Sequence, residues 1–254
     1  MSTNPRQTTI VDLLLKGERV DVRGLAERFD VSQMTIRRDL SLLEEQGLVV
    51  RTHGGGIPAG KLRFLQGAFP HYAVSPQKAA IGELAAGLVT AGQKVMVDSG
   101  TSTLEVARNL PRDADLTVAT TSLCVLQELY GSPVQVLLLG GYARKEFPSL
   151  YGPLTEEMLK NIHVDILFMG CDGADSKSGF YTADFRLSSL DQQMINCADR
   201  VVVVSESAKF GRKAFVRYAT VEQVNTLVTD THLLPADRKN LEECGINVLL
   251  AEVE

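Results

Sequence analysis

The sequence predicts an α/β protein of two domains: a small amino-terminal winged helix-turn-helix domain and a larger domain built on a mainly parallel sheet. Three observations predict this. Two short amphipathic helices lie two residues apart near the start, a segment dense in proline and glycine follows, and short apolar runs then alternate with helical stretches. Buried strands that alternate with helices are typical of a parallel sheet covered on both faces. We place the first domain at residues 1–57, a linker at 58–75 and the α/β domain at 76–254.

Length and composition are compatible with this division. A chain of 254 residues with 44% hydrophobic residues is long enough for one core of moderate size and one small core. The net charge is −5, yet residues 1–58 contain eight basic and eight acidic residues. A nucleic-acid contact must therefore come from a local cluster of positive charge, for which Arg37, Arg38 and Arg51, with His53 nearby, are the candidates.

The cysteines and histidines give no sign of a metal site or a disulfide framework. Four residues of each type are scattered along the chain without a Cys-x-x-Cys pair. We therefore predict no metal and no cofactor. The first residues lack the apolar core of a signal peptide, and no apolar run approaches the roughly 20 residues that span a bilayer. The expected location is the cytoplasm, with no membrane partner.

Three helices are predicted in the first domain. The first covers residues 5–16 and the second covers residues 20–29, while the third begins after Ser32, a residue type that caps helix amino ends well. Apolar residues recur at three- and four-residue steps in each helix, which places them on one buried stripe. The side chains predicted to face the core are Ile10, Leu13, Leu14, Val22, Leu25, Ala26, Phe29, Ile36, Leu40 and Leu43.

The outer face of the third helix is polar and basic, with no acidic residue before Asp39. In a helix-turn-helix the second helix of the pair enters the major groove, where a guanidinium group can bond two acceptors at once. A charged helix face in solvent is the alternative interpretation, which the two-residue turn before Ser32 disfavours. The residues expected at the major groove are Ser32, Gln33, Met34, Thr35, Arg37 and Arg38; Arg51 and His53 are expected at the DNA backbone or minor groove.

A wing is predicted after the third helix. Gly47 is placed to end the helix, residues 48–52 alternate as a strand does, and His53-Gly54-Gly55-Gly56 turns the chain back. The whole signature, from Ser32 through Arg37-Arg38-Asp39 to this turn, closely resembles the amino-terminal signature of DeoR-family transcriptional regulators. The resemblance implies sequence-specific binding to double-stranded operator DNA, usually as a repressor, by a dimer or tetramer. It also implies a second domain that senses a phosphorylated sugar or a related metabolite.

Seven apolar runs in the second domain predict seven strands. They cover residues 95–97, 116–119, 134–139, 164–169, 201–204, 224–228 and 247–250. Helices are predicted at 76–90, 104–110, 123–130, 155–161, 187–197 and 236–244. Ligands of open α/β sheets bind beyond the carboxyl ends of the strands. Five of the runs are followed by loops of small or polar residues, which together predict a binding rim.

The loop after the first run is the main candidate for an anion site. It reads Asp98-Ser99-Gly100-Thr101-Ser102-Thr103 and leads directly into a helix, whose amino end favours an anion such as phosphate. The same residues also suit an ordinary turn and cap, so both interpretations stay open. The residues expected at the effector are Asp98, Ser99, Gly100, Thr101, Ser102, Thr103, Thr121, Ser122, Gly141, Asp172, Gly173 and Lys209.

These loops extend the family resemblance to the second domain. The sensor domain of DeoR-family regulators is similar to ribose-phosphate isomerase and CoA-transferase folds. Residues 98–103 match its phosphate-binding turn, Asp172-Gly173 its Asp-Gly loop, and residues 209–211 its Lys-Phe-Gly element. The chain departs from the family at three positions. Thr121 replaces a common Asn, Glu206 a common Asp, and Leu187 a common Glu.

The function expected from both domains is transcriptional regulation, with DNA affinity controlled by a phosphorylated sugar or similar anion. The alternative is a sugar-phosphate isomerase or acyl-transfer enzyme with an appended DNA-binding module, in which Asp172, Asp175 and Lys209 would supply acid and base groups. No nucleophile elbow, phosphate loop or complete acid and base set is recognisable in the sequence, so we predict no catalytic residues.

Overall fold

The structure of the chain is a computed structural model, which describes residues 5–15, 20–45, 49–51, 55–58, 75–144 and 147–253. The chain divides into two compact units, residues 1–72 and residues 73–254. Most of the predicted linker, residues 59–74, lies outside the described residues.

The first unit contains three helices and a small antiparallel sheet. Its elements are α1 (Pro5–Leu15), β1 (Val20–Asp21), α2 (Val22–Phe29), α3 (Gln33–Glu45), β2 (Val49–Arg51) and β3 (Gly55–Pro58). The strand order is β1-β3-β2. The helical pair α2 and α3 followed by the β2–β3 hairpin confirms the predicted winged helix-turn-helix fold.

The beginning of the second helix differs from the prediction. Val20 and Asp21 form a strand that pairs with β3, rather than the first turn of α2. The Asp21 carboxylate accepts a hydrogen bond of 2.8 Å from the Gly24 amide, which makes Asp21 the cap before the helix. A Cβ on Gly55 would lie 2.0 Å from the Val20 carbonyl oxygen, so the close approach of these two strands requires glycine.

The core of the first unit consists of the apolar stripes predicted from helical spacing. Nine of the ten predicted side chains are buried, and Phe29 packs against them partly buried. Val49 of β2 completes the cluster, which joins the wing to the helices. Burial of about ten apolar side chains is the main stabilising contribution in so small a unit.

The second unit contains six helices and twelve strands within the described residues. The helices are α4 (Pro76–Ala86), α5 (Thr101–Asn109), α6 (Leu123–Leu129), α7 (Pro153–Leu159), α8 (Ser188–Asn196) and α9 (Pro235–Glu243). The strands are β4 (Lys94–Val97), β5 (Thr117–Thr120), β6 (Gln135–Leu138), β7 (Tyr142–Ala143), β8 (Leu150–Tyr151), β9 (Ile166–Met169), β10 (Gly173–Asp175), β11 (Gly179–Thr182), β12 (Val201–Val204), β13 (Val216–Ala219), β14 (Thr226–Asp230) and β15 (Asn247–Ala251).

A seven-stranded parallel sheet forms the centre of this unit. Its order is β15-β14-β12-β9-β4-β5-β6, and all six neighbouring pairs are parallel. Each of the seven predicted apolar runs contributes one strand, so the predicted mainly parallel α/β fold is confirmed. The chain passes from β4 through β5 to β6 on one side and from β9 to β15 on the other. The crevice between β4 and β9 is therefore the switch point at which such sheets bind ligands.

Two smaller sheets were not predicted from the sequence. Strands β10, β11 and β13 form an antiparallel sheet, and β7 pairs with β8 in a hairpin. Tyr181 lies in β11 and is 8% exposed. Its hydroxyl group lies 2.9 Å from the Ser178 hydroxyl group, so it stabilises the hairpin.

Candidate functional site

The third helix of the first unit presents its polar face to solvent. The Ser32 hydroxyl group accepts a hydrogen bond of 3.1 Å from the Thr35 amide, which caps α3 as expected. Gln33, Met34, Arg37 and Arg38 are exposed, and the exposed fraction of Met34 reaches 74%. Thr35 is half-buried because its hydroxyl group bonds back to Ser32 at 2.9 Å. The arrangement offers two guanidinium groups and short polar groups to an approaching duplex.

Asp39 faces away from this surface. Its carboxylate is buried and accepts hydrogen bonds from Arg6 Nε at 2.6 Å and from Gln7 Nε2 at 2.9 Å. These contacts fix α1 against α3 and neutralise the acid within the unit. The negative charge next to Arg38 in sequence therefore does not reduce the positive potential of the outer helix face.

The wing is described only in part. Arg51 ends β2 opposite Gly56 of β3, which places its backbone in the wing hairpin, but its side chain lies outside the described structure. Gly47 and His53 also lie outside the described residues. The predicted contacts of Arg51 and His53 with the DNA backbone or minor groove stay predictions.

The main candidate site of the second unit is a cleft of about 610 Å³ at the carboxyl ends of β4, β9 and β12. Seven of the predicted effector residues line it. They are Asp98, Ser99, Gly100, Thr101, Ser102, Asp172 and Lys209. The volume is in the range usual for small-molecule sites, roughly 300 to 1,000 Å³.

The amino end of α5 opens into the cleft. Gly100 precedes the helix in an extended conformation, and no side chain among the described residues caps its first amides. Ser99, Thr101 and Ser102 surround this end with hydroxyl groups. Uncapped amides at a helix start carry partial positive charge and can bond an anion, so the geometry is suited to a phosphate or carboxylate.

Three predicted hydroxyl residues lie behind the cleft wall. Thr103 is fully buried, and its hydroxyl group donates a hydrogen bond of 2.8 Å to the Asp98 carbonyl oxygen. Thr121 and Ser122 are buried as well, and Ser122 caps α6. These residues shape the turns that hold the cleft instead of lining it.

Two predicted glycines also support the wall. A Cβ on Gly141 would lie 2.3 Å from the Thr155 hydroxyl oxygen, and one on Gly173 would lie 2.6 Å from the Arg212 carbonyl oxygen. Glycine is needed at both positions because neighbouring chain segments pass so closely. Neither residue lines the cleft.

Several lining residues were not among those predicted for the effector. Lys78, Arg144, Asp184, Arg186, Asp191, Glu206 and Tyr218 reach the cleft from separate elements. Asp191 could have been identified, because an acidic residue at an inward position of an amphipathic helix usually has a special role. Arg144 carries no comparable signal, since a hairpin outside the main sheet positions it.

The carboxyl groups of the half-buried Asp98 and the buried Asp191 interact in the cleft. The Asp98 carboxylate accepts hydrogen bonds from the amides of Ser99 and Gly170, which ties the ends of β4 and β9 together. Burial raises the pKa of Asp98, and burial together with the nearby Asp98 charge raises the pKa of Asp191 well above its usual range. Such a pair tends to retain a proton between its members, which allows it to donate as well as accept hydrogen bonds from ligand hydroxyl groups.

A second group of charges surrounds Asp184. Arg186 bonds its carboxylate through Nε at 2.8 Å and through a terminal nitrogen at 2.8 Å, while Arg144 approaches it at 3.2 Å. The pKa of Asp184 lies below its usual range, mainly because Arg186 donates hydrogen bonds to its carboxylate. Arg186 also lies 5.6 Å from the centre of the Tyr151 ring, a cation–π contact.

Lys78, Lys209 and Glu206 also line the cleft. Lys78 Nζ lies 3.5 Å from one Glu206 oxygen, and the Ser75 hydroxyl group donates to the other at 2.9 Å. Ser75 also caps α4 by accepting a hydrogen bond from the Lys78 amide at 3.1 Å. Lys209 lines the cleft beside them and forms no ion pair with any carboxylate of the described residues.

Two kinds of feature are absent from the described part of the chain. No three potential metal ligands of the histidine, cysteine or acidic type converge there. Likewise, none of the described helices has the length and apolar character that crossing a membrane requires.

Family models match both units. Residues 6–58 match the DeoR-like helix-turn-helix domain, and residues 74–231 match the DeoR C terminal sensor domain. The chain is 33% identical to the HTH-type transcriptional regulator GlpR of Haloferax volcanii, with 96% of each chain covered. It is 30% identical to the putative aga operon transcriptional repressor of Escherichia coli O157:H7, with 98% of this chain and 94% of the relative covered.

A solved structure of ribose 5-phosphate isomerase A from Methanocaldococcus jannaschii is also similar, at 15% identity and a TM-score of 0.39 over 52% of this chain and 53% of that chain. Both of these relatives match nearly the whole chain, and they are named as a transcriptional regulator and a putative transcriptional repressor. The predicted regulator is thereby confirmed, and the enzyme alternative is set aside.

Proposed function

We propose, because the chain belongs to the DeoR family of transcriptional regulators, that a phosphorylated sugar or similar small anion in the cleft controls the affinity of the first unit for operator DNA. Repression is the expected direction of the regulation. The proposed domain limits are residues 1–57 for DNA binding, 58–75 for the linker and 76–254 for effector binding.

The outer face of α3 supports the DNA-binding half of the proposal. Arg37 and Arg38 are exposed there, whereas Asp39 is turned inward and paired with Arg6. A helix face with cations and short polar groups can bond base edges in the major groove. The proposed contacts are Ser32, Gln33, Met34, Thr35, Arg37 and Arg38 in the groove, with Arg51 and His53 at the backbone or minor groove.

The cleft supports the proposed binding of an anionic effector. The main supporting observation is the uncapped amino end of α5. A phosphate group would accept hydrogen bonds from the first α5 amides and from Ser99, Thr101 and Ser102. The carboxyl groups of Asp98 and Asp172 would then bond the sugar hydroxyl groups.

Assembly and coupling complete the proposal. A cytoplasmic homodimer or homotetramer would present paired α3 helices to repeated half-sites of the operator. A coupling free energy of about 1 to 3 kcal/mol between the two sites changes DNA affinity roughly 5- to 150-fold, which is enough for regulation.

The decisive experiment titrates sugar phosphates against a complex of the full chain with DNA from upstream of its own gene. We expect the chain to retard this fragment in a gel, and at least one sugar phosphate to change the retarded fraction while the unphosphorylated sugar does not. Equal retardation of a random DNA duplex at the same salt concentration would contradict the proposed sequence-specific DNA binding. If no phosphorylated compound changes the retarded fraction, the proposed effector is rejected.

A further inference from the structure

We propose that the effector carries a protonated amino group as well as a phosphate, and that Asp191 is the residue that binds this amino group. The class of ligand is an amino sugar phosphate. This inference rests on the proposed function, because it names the effector of the same cleft and leaves the phosphate at the amino end of α5.

Asp191 is a buried acid in the wall of the cleft. It lies in the first turn of α8, is 5% exposed and lines the cleft. Within the described part of the chain, its carboxyl group accepts no hydrogen bond and forms no ion pair. A buried carboxyl group without a partner is costly in free energy, so its position in a cleft wall indicates a donor that the ligand supplies.

The donors nearest to Asp191 are bonded to other groups. The Tyr218 hydroxyl group donates a hydrogen bond of 2.7 Å to the Gly170 carbonyl oxygen. Arg144 directs a terminal nitrogen to the Asp184 carboxylate at 3.2 Å. The described residues thus give Asp191 no hydrogen-bond donor of their own.

Acidic groups outnumber cations around Asp191 in the described structure. Burial is the main cause of the raised pKa of Asp191, and the charge of Asp98 is the next cause. Asp172 and Asp184 raise the pKa further, while Arg144 is the cation that lowers it. Surroundings that disfavour one more negative charge favour a positive charge by the same interaction.

An ammonium group suits this position better than a hydroxyl group does. A hydroxyl group supplies a hydrogen-bond donor without charge, whereas an ammonium group supplies three donors and a positive charge. It can replace the proton that Asp98 and Asp191 retain in the free chain. Lys209 lines the cleft as well, and its charge acts on the Cys171 thiol.

The test compares ligands in which an amino group replaces one hydroxyl group. Isothermal titration of the full chain near neutral pH would compare glucosamine 6-phosphate with glucose 6-phosphate, and galactosamine 6-phosphate with galactose 6-phosphate. We expect the amino member of at least one pair to bind about ten-fold or more tightly than the member with the hydroxyl group. The pair with the gain indicates the sugar.

A substitution then assigns the gain to Asp191. Asp191→Asn keeps the size of the side chain and removes its charge, so the ratio of the two affinities should fall to about one. Asp199→Asn is the matched control and should keep the ratio, because Asp199 is an exposed acid paired with His163 outside the cleft lining. The melting temperature of each variant shows whether it is folded.

The outcomes separate the two proposals. Equal or weaker binding of the amino member in both pairs overturns the amino-group site and leaves the phosphorylated effector intact. An unchanged ratio in Asp191→Asn, including equal weakening of both members, overturns the assignment to Asp191. If none of the four compounds binds, the sugar-phosphate effector is rejected and the amino-group site with it.

Discussion

The two units treat their buried carboxyl groups in opposite ways. In the first unit, Asp39 accepts hydrogen bonds from Arg6 and Gln7 of α1. In the second unit, Asp98 lies close enough to the buried Asp191 for its charge to raise the pKa of Asp191. The first arrangement stabilises the fold, whereas the second leaves charge that a ligand can compensate.

This difference indicates where each unit meets its partner. Asp39 is buried and bonded to α1, so the outer face of α3 exposes the positively charged Arg37 and Arg38. An incompletely compensated group of acids and bases marks a cleft, because perturbed titratable groups concentrate where ligands bind.

The largest expected effect concerns the response to the effector. Asp98→Ala removes the carboxylate that joins the ends of β4 and β9 and faces the cleft. We expect operator affinity without effector to stay unchanged and the effector-dependent change, about 1 to 3 kcal/mol, to be largely lost. Fluorescence anisotropy of labelled operator with and without ligand measures both quantities. A variant that responds as the native chain does would contradict this role.

Arg38→Ala tests the opposite unit. If Arg38 bonds a base edge, its removal should weaken operator binding by about 1 to 3 kcal/mol at fixed salt and leave effector binding unchanged. Arg238→Ala serves as control, since it removes the same charge from α9. A uniform loss across all DNA sequences would instead indicate a phosphate contact.

Asp39→Ala sharpens the structural side of the comparison. Removing the acceptor takes away the hydrogen bonds that Arg6 Nε and Gln7 Nε2 donate to Asp39, and we expect a loss of about 1 to 2 kcal/mol in the stability of the first unit. The value belongs to the lower part of the usual range because the Arg6 side chain is 22% exposed and can recover water. Denaturant unfolding followed by circular dichroism measures it, with Arg23→Ala as a control at an exposed ion pair.

The smallest effect is a pH dependence that belongs to Asp191. Its pKa is raised by burial, so the folded chain holds the proton to higher pH than the unfolded chain does. Stability therefore falls as pH rises from the unfolded pKa, about 3.9, through the folded pKa. Asp191→Asn should raise the melting temperature at neutral pH, and the difference should vanish below about pH 4. An equal difference at all pH values would contradict the charge-based explanation.

The sequence predicted those helices and strands whose apolar residues form a continuous buried surface. The seven strands of the main sheet were recognisable because parallel strands buried on both sides consist of unbroken apolar runs such as Val201–Val204. The helices of the first unit were recognisable from their apolar spacing. The β10, β11 and β13 sheet was missed, because strands of three or four residues with mixed polarity resemble loops.

The sequence predicted the cleft residues that directly follow a strand. It did not predict those that reach the cleft through contacts between distant parts of the chain. Residues 98–102 and Asp172 follow strand ends, and the rule for open α/β sheets identifies them. Arg144 and Asp184 are 40 positions apart and meet only through the hairpin and the 183–187 segment. No local pattern in the sequence encodes that meeting.

The bond between Ser75 and Glu206 has a mechanical consequence. Ser75 is the first described residue after the segment that joins the two units, and its hydroxyl group holds both the start of α4 and a carboxylate of the cleft rim. A ligand that displaces Glu206 would therefore take away a hydrogen-bond partner of the residue that caps α4.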